Sequence, residues 1–167
     1  MKPALIDTNI LSFFFRNHSL VVERFQAYLK EQDKINISII SYYEIVSGLK
    51  HRDAQKQLIS FLEFVSYNTV LPLTTSSATI SADIYANLRN KGTPIDDIDI
   101  LIAGIAIAND LIIVTNNIRD FEKIENLLRL LLIIVNKRRT DKSALALSLL
   151  SLKKSDVYDG LFGDALL

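Results

Sequence analysis

Four carboxylates in this 167-residue chain stand where apolar runs begin or end. Asp7 follows "ALI" (4–6), Glu44 comes shortly after "INISII" (35–40), Asp99 opens "ILIAGIAIA" (100–108), and Asp120 follows "LIIVT" (111–115). If the apolar runs are strands of a parallel sheet with helices between them, such acids can converge at the carboxyl edge, where open α/β sheets bind ligands. Converging carboxylates repel unless a cation neutralises them, and hard cations such as Mg²⁺ or Mn²⁺ take oxygen ligands. An ion held in that way suits phosphodiester hydrolysis, because it activates water and steadies charge on the phosphate. Each acid also has a local explanation. Asp7 could end its strand in an Asx-turn near Asn9. Glu44 sits three residues after Ser41 in an S-x-x-E capping box, which predicts a helix starting there. Asp96, Asp97 and Asp99 all suit the first turn of a helix. Asp120 could be a solvated acid in a polar turn. The joint order of the four is more specific than any one of them.

The elements that would position these acids follow from periodicity. Residues 4–6, 35–40, 111–115 and 130–135 read as buried strands, each a continuous apolar run. "TVLPL" (69–73) reads as an edge strand, since Pro72 cannot donate to a central ladder. Helical spacing marks 17–32, 41–49 and 53–65, the last with Leu58, Phe61, Leu62 and Val65 on one side. A long helix over 75–92 starts at a Thr or Ser cap and stops at Gly92, and 118–128 gives a short helix or turn. Strands alternating with helices predict an α/β fold with a parallel sheet covered on both faces.

The chain is long enough for one domain with a proper core. Nineteen basic residues balance 19 acidic ones, so no global field advertises a nucleic acid. No cysteine is present, which excludes disulfides and thiolate metal sites. "MKPALIDTN" breaks at Asp7 before a signal-peptide core could form. The longest apolar runs fall well short of the roughly 20 residues of a membrane span. No membrane association and a cytoplasmic location are therefore expected. After Val135 the pattern changes: "NKRRTDK" is a charged break and "SALALSLLSLKK" is compositionally simple. We divide the chain into a domain at 1–136 and an atypical, loosely packed extension at 137–167.

Taken together, "LIDTNIL" (5–11), "ISIISYYEIVSGL" (37–49) and "GTPIDDIDILIAGIAIANDLIIVTNNIRDFEKI" (92–124) resemble the PIN-domain ribonucleases, in particular the VapC-type toxins of bacterial toxin–antitoxin pairs. The resemblance implies a three-layer α/β/α sandwich on a mainly parallel sheet of about four to five strands and a metal-dependent endoribonuclease site. Asp7, Glu44 and Asp99 match the family's three acidic positions. Thr8 matches its hydroxyl beside the first acid, and Thr115 the hydroxyl ending the fourth strand. Many PIN domains carry an acid two residues after that threonine; here Asn117, a neutral oxygen ligand, stands in its place and Asp120 is the available acid. Asp7 and Asp99 would hold Mg²⁺ or Mn²⁺, with Glu44 and Asp120 completing the pocket directly or through water. An RNA substrate, a cognate antitoxin and a homodimer are further implications. Arg16, Lys50, Arg52, Arg89, Lys91 and Arg119 are candidates to line an RNA path, and "KRR" (137–139) another. Two rival readings remain: a catalytically inactive PIN-like binding module, and a phosphotransfer enzyme of the haloacid-dehalogenase type, which normally needs an acid where Asn9 stands.

Overall fold

A computed structural model describes residues 2–125, 127 and 129–131, the last three as backbone. The outer part of the last expected strand and the extension at 137–167 lie outside the described residues.

The apolar runs form strands, and the strands are short. β1 (Ala4–Ile6), β2 (Asn36–Ser38), β3 (Thr69–Leu71), β4 (Ile112–Thr115) and β5 (Arg129–Leu131) make one sheet in the order β3-β2-β1-β4-β5. Every pairing is parallel, with Ile6 opposite Ile37 on one side and Val114 on the other. β3 lies at the edge as expected, but it ends at Leu71, so Pro72 stands just beyond the ladder and stops it there. From β1 the chain builds outward through β2 to β3, then crosses back to place β4 on the far side of β1. The strand order therefore reverses between β1 and β4, and the crevice beyond their carboxyl ends is the expected ligand site of such a sheet.

Seven helices connect the described strands: α1 (Thr8–Phe14), α2 (Ser19–Tyr28), α3 (Ile39–His51), α4 (Gln55–Ser66), α5 (Thr75–Asn90), α6 (Asp97–Ala108) and α7 (Ile118–Phe121). Side chains alternate across the sheet. Ala4 and Ile6 face a core built with Ile10, Leu11 and Phe14 of α1, Val21 and Phe25 of α2, and Phe64 of α4. Leu5 faces the opposite core, with Leu88 of α5, Ile100, Ile102, Ala103 and Ile105 of α6, and Phe121. The expected three-layer α/β/α sandwich is observed. α6 is buried through most of its length, which makes it a rigid mount for the acids at its start. It approaches α5 closely because Gly104 has no side chain: a Cβ there would run into the Ser81 hydroxyl and the Ser77 carbonyl.

Two local readings need correction, and one element is new. Residues 8–14 form a helix directly after β1, which the apolar run "ILSFFF" does not announce by its spacing. α3 starts at Ile39, not at residue 41, because Ser38 is its cap: the Ser38 side chain accepts from the Ser41 amide at 2.8 Å. Glu44 is therefore not a capping-box glutamate. On α4 the buried residues are Phe61 and Phe64, while Leu62 is exposed.

Candidate active site

Asp7 holds the centre of the crevice. It ends β1, where its amide donates to Val114 O at 3.0 Å, and it caps α1. The side chain is 3 % exposed and its two oxygens accept three hydrogen bonds: Oδ1 from the Thr8 amide at 2.7 Å, Oδ2 from Asn9 Nδ2 at 2.6 Å and from Thr115 Oγ1 at 2.5 Å. Burial pushes its pKa above the ordinary carboxylate value, against the pull of the donors from Thr115, Thr8 and Asn9, and the Glu44 charge adds to the rise.

Thr8 joins this carboxylate to the next. Its Oγ1 donates to Glu44 Oε2 at 2.6 Å, across the junction of α1 and α3. Thr115 is fully buried and serves as a hub, accepting from Asn9 Nδ2 at 3.2 Å and from the Asn117 amide at 2.9 Å while it donates to Asp7. Asp96 caps α6 through the Ile98 amide at 2.8 Å, and Asp97 shares the first turn, as their positions predict. Asp99 stands apart: its Oδ2 accepts from Asn117 Nδ2 at 2.8 Å. Its pKa is pushed up to about 7, chiefly by burial and then by the charges of Asp7, Asp120, Asp96 and Glu44. The four acids singled out in the sequence thus share one electrostatic field.

Asp120 is the least committed of them. Lys123 Nζ lies 2.9 Å from its Oδ1 and holds its pKa below the ordinary value, with help from the Asn117 amide. Asn117 presents its nitrogen to Asp99, so in this arrangement it acts as a donor rather than as an oxygen ligand. Among the described residues no three acids stand at the spacing of a preformed metal cage. Two contributors escaped the sequence reading. Asn9 binds Asp7 and Thr115 and accepts from the Asn116 amide at 2.9 Å; its signal was its place two residues after Asp7. Lys123 follows Asp120 by three residues, and that spacing of opposite charges in a helical turn was its signal.

Of the basic candidates, Arg16 and Arg52 line a cavity that also reaches Thr8 and Glu44. Lys91 instead pairs with Glu125 at 2.5 Å, and the Arg89 guanidinium lies over the Tyr85 ring. Tyr42 packs near Phe61, whereas Tyr43 is exposed.

Residues 4–127 match the PIN domain family. The chain belongs to the PIN-domain family. Within that family it is similar to a tRNA(fMet)-specific endonuclease VapC of Shigella flexneri, 36 % identical over 129 residues that span 76 % of this chain and 96 % of the relative. A tRNA(fMet)-specific endonuclease VapC of Salmonella typhimurium is 34 % identical over 126 residues, covering 74 % and 93 %. Among solved structures, the DNA-bound VapBC of Salmonella typhimurium aligns with a TM-score of 0.70 at 32 % identity, covering 78 % of this chain and 98 % of that one. VapBC2 of Rickettsia felis bound to a promoter DNA fragment aligns at 0.69 and 28 %, covering 76 % and 96 %. The chain is a VapC-type PIN domain, and the phosphotransfer reading falls with that assignment. No described helix is long and apolar enough to cross a membrane.

Proposed function

We propose that this PIN domain is a Mg²⁺- or Mn²⁺-dependent endoribonuclease, acting as the toxin of a toxin–antitoxin pair in the cytoplasm. The observation that carries this reading is the shared field around Asp99, where Asp7, Asp120, Asp96 and Glu44 all raise its pKa. A divalent cation relieves such repulsion, and the donor set is the oxygen-only set that hard cations prefer. Asp7 and Asp99 would hold the ion, with Glu44 and Asp120 acting directly or through water. Mg²⁺ keeps several waters of its own, so one or two carboxylates from this chain would suffice to hold it. When bound, the ion would make a water nucleophilic at neutral pH and neutralise charge on the phosphate.

The chain's own groups supply orientation and proton transfer. Thr115, Asn9 and the Thr8 amide hold Asp7 in one geometry. Thr8 holds one oxygen of Glu44 and leaves Oε1 to accept a proton from the attacking water. In-line attack on the phosphodiester would release a 3′-hydroxyl and a 5′-phosphate. Partnership with an antitoxin is supported by the VapBC structures it is similar to, and a homodimer goes with the resemblance to VapC-type toxins.

The test is cleavage of structured RNA by purified protein, beginning with tRNA because the similar VapC proteins are tRNA(fMet)-specific endonucleases. Cleavage should require Mg²⁺ or Mn²⁺, stop with EDTA, and be lost in Asp7→Asn and Asp99→Asn. Equal cleavage by the wild type and both variants would overturn the site. RNA binding indifferent to metal and to both variants would favour the inactive binding module.

A further inference from the structure

We propose that the cavity between α1, α3 and α4 seats one nucleotide of the RNA strand beside the phosphate to be cleaved. This deepens the ribonuclease reading and rests on it.

The cavity has a volume of about 460 Å³ and is lined by Thr8 and Glu44 at one end, so it is continuous with the acidic crevice. That volume lies within the roughly 300–1,000 Å³ of small-ligand pockets and is ample for a nucleotide. Phe61 and Leu49 are buried and form an apolar floor, with Phe15 edge-to-face against Phe61. The exposed Arg16 and Arg52 form the rim.

Both arginines are built alike. Arg16 Nε donates to Ser12 O at 2.9 Å, and Arg52 Nε donates to Gly48 O at 3.1 Å. Each guanidinium is thus anchored to the end of its own helix through Nε, and neither forms an ion pair among the described residues. The terminal nitrogens keep the fork geometry that matches a phosphate. Glu44 is the sole acid lining the cavity. Rim cations and crevice carboxylates border one continuous space, so a strand with one phosphate at Glu44 can set the next against Arg16 or Arg52, which favours RNA over a peptide as the occupant.

Gly48 makes the space. It lies inside α3 with helical backbone, so no positive φ demands glycine there, and a Cβ at this position meets nothing within 4 Å. Glycine inside a helix is destabilising relative to alanine. Gly48 lines the cavity without filling it, so a large side chain at this position would project into the open space.

The experiment measures binding of a short fluorescein-labelled single-stranded RNA by anisotropy in EDTA, where nothing is cut. Arg16→Gln with Arg52→Gln should weaken binding about tenfold or more and reduce the logarithmic salt slope by about 1.4, two phosphate contacts at about 0.7 each. Gly48→Leu should weaken binding about tenfold with the slope kept, and its melting temperature should equal or exceed that of the wild type, since leucine is the better helix former. Gly48→Ala should bind as the wild type does. RNA affinity unchanged in both Gly48→Leu and the arginine pair overturns the proposal, as does absence of RNA binding by the wild type. Loss of a co-expressed antitoxin from Gly48→Leu with RNA affinity intact assigns the cavity to protein and overturns it too. RNA binding that follows these variants, in a protein that cuts nothing when loaded with metal, leaves the nucleotide seat in place and overturns the ribonuclease reading instead.

Discussion

Thr8 Oγ1 donates to Glu44 Oε2 at 2.6 Å, joining the first turn of α1 to the middle of α3 across 36 positions of sequence. One hydroxyl decides what Glu44 is for. The glutamate is turned away from its own helix terminus, where Ser38 already caps the chain, and towards Asp7. Thr8→Val keeps the shape and removes the donor. It should cost about 1–3 kcal/mol in urea unfolding, the range for a bond to a charged group. Cleavage should fall about 10–100-fold, as when a support behind a site residue is lost. Thr8→Ser should restore most of both, and a silent Thr8→Val would show that Glu44 needs no anchor.

The raised pKa values of Asp7 and Asp99 set a pH dependence with a definite sign. Both groups bind protons more tightly in the folded state than in the unfolded chain. Metal-free protein should therefore be most stable below about pH 4 as far as these groups act, and lose that stability as pH rises towards the Asp99 value of about 7. Melting temperatures in EDTA should decline from about pH 4 to about pH 8. Mn²⁺ should recover the loss at the alkaline end, and Asp99→Asn should flatten the decline. A flat profile for the wild type would contradict the shared field.

Asn117 donates to Asp99 where an aspartate would repel it. Asn117→Asp should raise the Asp99 pKa further and lower the melting temperature of metal-free protein at pH 8. The same change adds an oxygen ligand, so Mn²⁺ should bind more tightly, with the stabilisation by metal exceeding that of the wild type. Titration followed by calorimetry and thermal melts reads both effects.

Gly104 lets α6 lie against Ser77 and Ser81 of α5. Gly104→Ala should destabilise by about 1–3 kcal/mol through overpacking. Removing the Ser81 hydroxyl as well should recover only part of this, because the Ser77 carbonyl remains in the way. Urea unfolding of the single and double variants makes the comparison.

Much of this was legible in the residues. Continuous apolar runs separated by helical patterns determined a parallel α/β sheet, Pro72 marked the end of β3, and Asp96 and Asp97 marked the start of α6. The four acids could be picked out because each stands at the end of such a run. Motifs in fixed order tied them to the PIN domains before any coordinate was known. These features depend on neighbours in the chain, where side-chain period and capping chemistry act.

What stayed hidden depends on contacts between distant segments. The start of α3 lies earlier than its pattern suggests, since a strand that ends at Ser38 leaves the cap three residues before the S-x-x-E pattern places it. Nothing local distinguishes Glu44 as a cap from Glu44 as the partner of Thr8, 36 positions away. The reversal of strand order puts β1 beside β4, and so brings Thr115 to 2.5 Å from Asp7 across 108 positions of sequence. Local pattern determined which residues could do chemistry; the topology of the sheet decided which of them meet, because a hydrogen bond or a repulsion acts over a few ångströms and only the folded chain sets those distances.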